Sequence, residues 1–245
     1  MHRSAKRLAG LLTCAAVPVM LVAGCSGSGT DSSGDTATSN APSSKTGGAG
    51  GSATGSTAPS LALAKYKKLP NPCEAFSQDT IKNLLPKVKN ASGEQGKSSD
   101  NNARGYCAWN SSDAKGVDGT QYRWLDVSYQ RYDSEQGIGT GEKRATEFYA
   151  KKVEDAKATE GAKNVKTAKT DGTGDEATSL TFESKKDGND FGNATVVMRT
   201  ANVVITLNYN GAGLAGADTP KSADLLKSAQ AAAKEAVTAV NKANG

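Results

Sequence analysis

Apolar positions along the chain fall into three regions with different patterns. Residues 8–23 form an uncharged, mostly apolar run, whereas residues 26–60 are mostly Gly, Ser and Thr and contain no aromatic residue, Leu, Ile, Val or Met. Apolar residues with regular spacing appear only after this stretch, and all the aromatic residues lie there. Such spacing is the main sequence signal of secondary structure, so we expect a single globular domain over residues 62–245.

Three segments have the spacing of helices that bury one side. The first is predicted at residues 78–85, with Ser77 as its N-cap. The second covers residues 141–158, and its apolar stripe consists of Ala145, Phe148, Tyr149, Val153 and Ala156. The third is an alanine-rich C-terminal helix with Thr219 as its cap and Pro220 in its first turn. Its apolar stripe consists of Leu226, Ala229, Ala233, Val237 and Val240.

Five segments alternate apolar and polar residues, as half-buried strands do. They lie near residues 105–109, 122–132, 180–182, 196–198 and 203–209. Asp187-Gly188 predicts a tight hairpin turn between the third and fourth of them. Runs of strands joined by short turns favour an antiparallel sheet. We therefore predict an α+β fold, with an antiparallel sheet of about five strands and two or three helices packed on one face.

The N-terminal apolar run ends at a cysteine. A basic segment precedes it, and Ala23-Gly24 leads directly into Cys25. The run is short for a membrane-spanning helix and is typical of a cleaved export signal. The Leu21–Cys25 segment resembles the lipobox of bacterial prolipoproteins, which implies a signal peptide at residues 1–24 and a diacylglyceryl group on Cys25. The alternative is a secreted protein in which this cysteine is incidental.

The resemblance to a lipobox implies a location. Acyl chains on Cys25 would anchor the protein in the outer leaflet of the cell membrane, on its extracytoplasmic side. The polar stretch that follows cannot bury enough apolar surface to offset the entropy of ordering. We therefore expect residues 25–61 to form a disordered Gly/Ser/Thr-rich tether between the lipid and the domain.

Charge and histidine content limit the function classes. The formal net charge is +5, but Arg3, Lys6 and Arg7 belong to the predicted signal. The remaining basic residues are interspersed with acidic ones, so we expect no nucleic-acid partner. The only histidine, His2, also lies in the predicted signal. Without imidazole, histidine-dependent nucleophiles, histidine acid–base catalysis and His-ligated zinc are excluded. We predict no enzyme activity, no cofactor and no metal site.

Two cysteines remain once the predicted signal and the lipidation site are set aside. Cys73 and Cys107 form an even pair in what would be an oxidising compartment, so a disulfide between them is the default interpretation. The alternative is a catalytic thiol, which requires the two sulfur atoms to lie far apart. The sequence therefore favours a structural cross-link in the first part of the domain.

The residues around these cysteines resemble a known family. Asn71-Pro72-Cys73, a short amphipathic helix and then Tyr106-Cys107-Ala108-Trp109 are similar to the Pro-Cys … Cys-x-Trp signature of an actinobacterial lipoprotein family, domain of unknown function 3558. The resemblance covers about residues 68–242. It implies an envelope lipoprotein from a high-GC Gram-positive bacterium, and it transfers no catalytic residue because the family has no established activity.

Two patterns in the domain are candidate binding sites. The acidic, Gly-rich segment 171–176 has oxygen ligands suited to Ca²⁺ but lacks the spaced carboxylates of an EF-hand, so a plain turn is favoured. Tyr122, Trp124 and Tyr132 share one face of the second predicted strand. Exposed, they would form an aromatic platform for a glycan or a partner; the alternative is packing beneath helices or loops.

The anchor, the tether and the absence of imidazole together favour a non-enzymatic binding or interaction module of the cell envelope. Its expected partners are the membrane, through the lipid anchor, and an unidentified envelope protein, glycan or lipid. One alternative function is a carrier of a lipid or another apolar ligand between sheet and helices. Another is a glycan hydrolase that uses two carboxylates, for which no spacing in the sequence indicates a pair.

Overall fold

An antiparallel sheet with helices on both faces organises the domain. The computed structural model describes residues 60–245; the predicted signal peptide 1–24, Cys25 and the tether up to residue 59 lie outside the described residues. The helices are α1 (Gln78–Leu84), α2 (Gly141–Lys157) and α3 (Ser222–Asn244). The strands are β1 (Glu94–Gln95), β2 (Arg104–Ala114), β3 (Thr120–Arg131), β4 (Lys163–Lys169), β5 (Glu176–Lys186), β6 (Asn189–Thr200) and β7 (Val203–Leu214).

The seven strands form one sheet in the order β1-β2-β3-β7-β6-β5-β4, and all neighbours are antiparallel. The predicted α+β class, the antiparallel sheet and the three helices are therefore confirmed. The predicted count of about five strands is wrong, because β1 and β4 were not expected. β1 has two residues, and every residue of β4 is exposed. Neither strand has the apolar alternation from which a strand is recognised.

The main core lies on one face of the sheet, which we call the core face. Leu125, Val127, Ile205 and Leu207 are fully buried there beneath α3 and α1. On α3, the apolar side is built largely from alanine, with Ala229, Ala232, Ala233 and Ala236 at zero exposure. Small side chains of this kind allow the helix to approach the sheet closely, and they make α3 the principal cover of the central strands.

The prediction that the helices pack on one face of the sheet is wrong. Helix α2 lies on the opposite face, where Ala145 and Val153 pack against Leu180, Val197 and Val204. The physical reason is that β6 and β7 have consecutive buried apolar residues near the turn that joins them, at 196–198 and 203–205. Since successive side chains of a strand point to opposite faces, both faces are apolar at that end and both require a covering helix.

Local signals set the ends of several elements. Ser77 Oγ accepts a hydrogen bond from the Thr80 amide at 3.1 Å and caps α1. The hairpin at Asp187-Gly188 is confirmed, with φ values of 51° and 80° that suit a two-residue turn. The predicted start of the last helix is wrong: α3 begins at Ser222 and its N-cap is Lys221, so Thr219 and Pro220 lie in the preceding loop.

The cross-link between Cys73 and Cys107 is present. It joins the short 3₁₀ turn at Pro72–Glu74 to β2. Next to it, the Trp109 ring lies 5.4 Å from that of Phe76, and its Nε1 donates to the Ala91 carbonyl at 3.2 Å. The disulfide therefore ties the N-terminal segment and α1 to the sheet at the edge of the core.

Candidate functional site

Helix α2 covers only the end of its sheet face that lies near the β6–β7 turn. Towards the other end, the strands β3, β7 and β6 carry polar side chains on this face in neighbouring register positions: Trp124 faces Asn210, Asp126 faces Asn208, and Asn208 in turn faces Thr195. Directly paired residues have Cβ atoms about 5 Å apart, so these side chains form a continuous surface. We call it the polar sheet surface and define it as Trp124, Asp126, Asn193, Thr195, Asn208 and Asn210.

A row of hydrogen bonds crosses this surface. Trp124 Nε1 donates to Asp126 Oδ2 at 2.9 Å, and Asn208 Nδ2 donates to Asp126 Oδ1 at 3.0 Å. Thr195 Oγ1 then donates to Asn208 Oδ1 at 2.8 Å. Each oxygen of the carboxylate thus has one donor, and each member of the row is oriented by its neighbour. The result is a rigid set of polar groups on rigid strands, which is the arrangement that binding sites need.

Asp126 is the buried charge of the surface. It is only 9% exposed. Burial raises the pKa of its carboxyl, and the hydrogen bonds from Asn208 and Trp124 partly counteract that rise. Burial also raises the pKa of nearby Tyr106 to about 12, with a smaller contribution from the negative charge of Asp126. A carboxylate held in a partly desolvated position interacts more strongly with a ligand than one in open water.

The polar sheet surface forms one wall of a groove, and α2 forms the other. A cavity of about 380 Å³ lies between Asn208, Asn210 and Thr195 on the sheet and Lys152 and Asp155 on the helix. A second cavity of about 380 Å³ also has Lys152 in its lining and extends towards β2, where Tyr106 lies. The two together form a groove of ligand size, since small-molecule sites usually measure about 300–1,000 Å³.

The three aromatic residues predicted as a platform lie on the same face of β3, but they do not form one continuous surface. Tyr132 lies beneath α2, with its ring centre 5.4 Å from that of Phe148 and the Arg144 guanidinium 5.4 Å from its ring. Tyr122 packs edge-on against Phe191 with ring centres 6.2 Å apart, and Trp124 belongs to the hydrogen-bonded row. Tyr122 and Trp124 therefore lie on the sheet face that carries the groove, beside the residues that line its two cavities, and Tyr132 lies apart from them beneath α2.

The sequence did not identify Asp126, Asn208 and Thr195 as a site. Its alternation placed Asp126 opposite Leu125 and Val127, on the polar side of its strand. What it lacked was the pairing of β3 with β7 and of β7 with β6, which brings these three residues together from distant parts of the chain.

Two of the three carboxylates in the acidic segment at 171–176, those of Asp175 and Glu176, are engaged in contacts with Arg199. Arg199 Nε donates to Glu176 at 2.6 Å, and Arg199 Nη1 lies 3.4 Å from Asp175. Asp175 also accepts from the Ala201 amide at 2.6 Å. These carboxylates hold a buried arginine, which supports the turn interpretation over a calcium site. Among the described residues, no group of three or more His, Cys, Asp or Glu side chains is placed to bind a metal ion.

A further cavity of about 910 Å³ lies near the start of α3, on the core-face side of β4 and β5. Its lining includes Lys163, Lys166, Lys185 and Lys221, all of which are exposed. Because exposed lysines keep their hydration and their rotamer freedom, this cavity lacks the fixed polar groups that distinguish the groove.

None of the helices described between residues 60 and 245 has the length and apolar character required to cross a bilayer.

No family model matches the chain, so the resemblance to domain of unknown function 3558 stays a prediction. None of the curated proteins matches it either. Among solved structures, the chain is similar to LpqN, which is described as involved in cell envelope biogenesis of Mycobacterium tuberculosis. The match has 15% identity and a TM-score of 0.28, and it covers 50% of this chain and 65% of LpqN, less than two thirds of its length. A TM-score this low does not establish a shared fold.

Proposed function

We propose that this protein is a lipid-anchored, extracytoplasmic binding module of the cell envelope, and that it binds its ligand in the groove between the polar sheet surface and α2. The observation that supports this most strongly is the hydrogen-bonded row through Asp126. A buried carboxylate is costly to fold around, and its two oxygens are held here by side chains from β3 and β7. A cost of this kind is common at functional sites.

The chemistry available in the groove favours binding over catalysis. The hydrogen bonds from Trp124 and Asn208 hold the Asp126 carboxylate in one position and favour its ionised form, which suits it to accepting further hydrogen bonds from a ligand more than to supplying a proton. Cys73 and Cys107 are joined to each other, and the domain sequence contains no histidine. Asp155, the other carboxylate of the groove, has its pKa lowered by the hydrogen bond from Lys151, which favours its ionised form.

The polar groove also makes the alternative of a lipid carrier less favourable. An acyl chain in the groove would remove water from Asp126 and from several amides without offering hydrogen bonds in exchange, which costs free energy for each group. On the core face, the space between sheet and α3 is filled by side chains at or near zero exposure. The groups in the groove favour a ligand that can itself donate and accept hydrogen bonds.

The membrane anchor is tested by changing the predicted lipidation site. Cys25→Ser should abolish incorporation of radioactive palmitate and move the protein from the membrane fraction to the medium, since no acyl chain would remain. The wild-type chain, expressed in parallel, should be labelled and sediment with membranes. Equal labelling of the two proteins, or an unlabelled wild type, would contradict the anchor.

The binding site is tested by photo-crosslinking on intact cells. A photoreactive phenylalanine analogue at Asn210, in the groove, should crosslink the protein to an envelope component. The matched control places the same analogue at Lys234, an exposed position of α3 on the other side of the sheet, and it should give no such product. Absence of product at both positions, or the same product at both, would be inconsistent with the proposed site.

A further inference from the structure

We infer that the ligand of the groove is an uncharged glycan chain, an inference that rests on the proposed function. The first support is the type of hydrogen-bonding group on the polar sheet surface. Asn208 and Asn210 are side-chain amides, each of which both donates and accepts. The third amide, Asn193, already donates through Nδ2 to the Phe182 and Phe191 carbonyls and to Ser184 Oγ. A sugar hydroxyl also donates and accepts, so rows of amides complement its hydroxyl groups better than rows of purely donating or purely accepting side chains.

The arrangement of these groups leaves hydrogen-bonding capacity for a ligand. Asn208 uses one amide hydrogen on Asp126 and accepts from Thr195, so its second amide hydrogen and second lone pair are unused by that row. Asn210 is half-buried and lies beside it in the same cavity, on the same face of β7. Two amides at alternate positions of one strand are about 7 Å apart, which places them where successive hydroxyl groups of a chain can meet them.

Aromatic side chains lie beside the amides. Trp124 faces Asn210 across the β3–β7 pair and is half-buried, and Tyr122 follows it on the same face. One side of a sugar ring exposes mainly C–H groups, and an aromatic ring provides a flat apolar surface on which such a side can pack. The indole is held in place by its hydrogen bond to Asp126, so little side-chain entropy remains to be lost on binding.

Charge distinguishes a neutral glycan from the other polar ligands of an envelope. Asp126 is the single charged member of the polar sheet surface, and it repels an anionic polymer. On α2, Lys152 and Asp155 have opposite charges, and Lys97 and Arg104 add exposed positive charges at the β2 end of the groove. The charges are therefore mixed along the groove, and the end that holds the amides, next to Asp126, disfavours an anion. An uncharged ligand rich in hydroxyl groups is not repelled by any of these charges, and its hydroxyl hydrogens can donate to the carboxylate of Asp126.

The dimensions suit several sugar units. The three strands β3, β7 and β6 span about 10 Å from first to last, and the groove continues past them towards Tyr106 on β2. A single monosaccharide would leave most of this length empty. The geometry therefore points to a segment of an oligosaccharide or polysaccharide that lies across the strands.

The test uses the purified full chain and material from the envelope of the native host. The envelope is digested and separated into an uncharged oligosaccharide fraction, an anionic glycan fraction, a peptide fraction and a lipid extract in vesicles. Binding of each fraction is measured by saturation-transfer NMR. We expect signals from the uncharged oligosaccharides alone, and no shortening of those chains during incubation.

Variants locate the site. Trp124→Ala and Asn210→Ala should each lower the affinity for the uncharged fraction at least tenfold, equivalent to about 1.4 kcal/mol. Asn210→Ala removes an amide from the groove wall and leaves the hydrogen-bonded row in place, so it remains informative if Trp124→Ala folds poorly. Lys166→Gln, in the separate lysine-lined cavity, is the matched control and should bind as the wild type does.

The outcomes separate the inference from the proposed function. If the Asn210 photo-crosslink captures an envelope component but the uncharged oligosaccharides do not bind, the glycan inference is wrong and the binding site stands. Where neither measurement gives a signal, the proposed function itself fails. Oligosaccharide binding that both variants leave unchanged would place the ligand elsewhere, and chain shortening that depends on Asp126 or Asp155 would make the protein an enzyme.

Discussion

Replacing Cys73 and Cys107 together by alanine should lower the free energy of unfolding by about 2–5 kcal/mol. The two cysteines are 34 positions apart in the sequence, and opening a loop of this size adds entropy to the unfolded chain. The half-cystine at 107 is also fully buried, so its truncation removes packing from the core. Denaturation in guanidinium chloride measures the change.

The slope of that denaturation provides a control. Without the cross-link the unfolded chain expands further, so the m-value should rise together with the fall in midpoint. The wild-type protein, reduced in denaturant and kept reduced, should match the double alanine variant within the cost of the lost side-chain contacts. A double variant with the midpoint and m-value of the oxidised wild type would show that the disulfide does not stabilise the domain.

Asn202→Ala should cost about 2–4 kcal/mol of stability, because one buried amide satisfies three backbone groups. Asn202 is 1% exposed and lies in the turn between β6 and β7. Its Oδ1 accepts from the Tyr66 amide at 2.8 Å, and its Nδ2 donates to the carbonyls of Tyr66 at 2.9 Å and Tyr132 at 2.8 Å. Truncation leaves all three without this partner and loosens the N-terminal segment from the sheet.

Two further variants make this prediction specific. Asn202→Asp has nearly the same shape and keeps the acceptor, but at neutral pH it faces two carbonyl oxygens with a carboxylate. We expect it to be at least as destabilising as alanine at pH 7, and to regain stability at acidic pH because the protonated acid can donate again.

The control variant is Asn244→Ala. It removes hydrogen bonds to Lys67 and Lys68 in an exposed position, where water can replace them.

The expected order is therefore a small effect for Asn244→Ala and large effects for both Asn202 variants. Hydrogen exchange at the Tyr66 amide should accelerate in the Asn202 variants before the central strands are affected, since the segment detaches locally. Equal stabilities of Asn202→Ala and Asn244→Ala would mean that burial of these groups has no energetic consequence here.

Sequence periodicity predicted those elements whose own residues show one apolar side. The stripe from Ala145 to Ala156 predicted α2 within a residue or so at each end, and all five of its members pack against the sheet. The alternation from Val203 to Tyr209 lies within β7. In contrast, β4 has lysine at 163, 166 and 169 on an exposed edge, where charged residues prevent pairing with other chains and leave no apolar pattern to read.

The site shows the limit of the same reasoning. Asp126 could be placed on the polar side of β3 from its neighbours alone, but its partner Asn208 lies 82 positions away and is brought to it by the pairing of β3 with β7. The burial of that carboxylate, and hence the direction of its pKa shift, depends on this pairing. Alternation along β3 groups Tyr132 with Trp124, and only the position of α2 separates them.

The sequence by itself determined the α+β class, most helices and strands and the Asp187-Gly188 hairpin, and it favoured the pairing of Cys73 with Cys107. Each of these follows from residues close together in the chain or from the small number of cysteines that can pair. The tertiary structure decided the strand order, the two edge strands, the face that α2 covers and the polar row through Asp126. These depend on register between distant segments, where each side chain is buried or exposed by what packs against it rather than by its own neighbours in sequence.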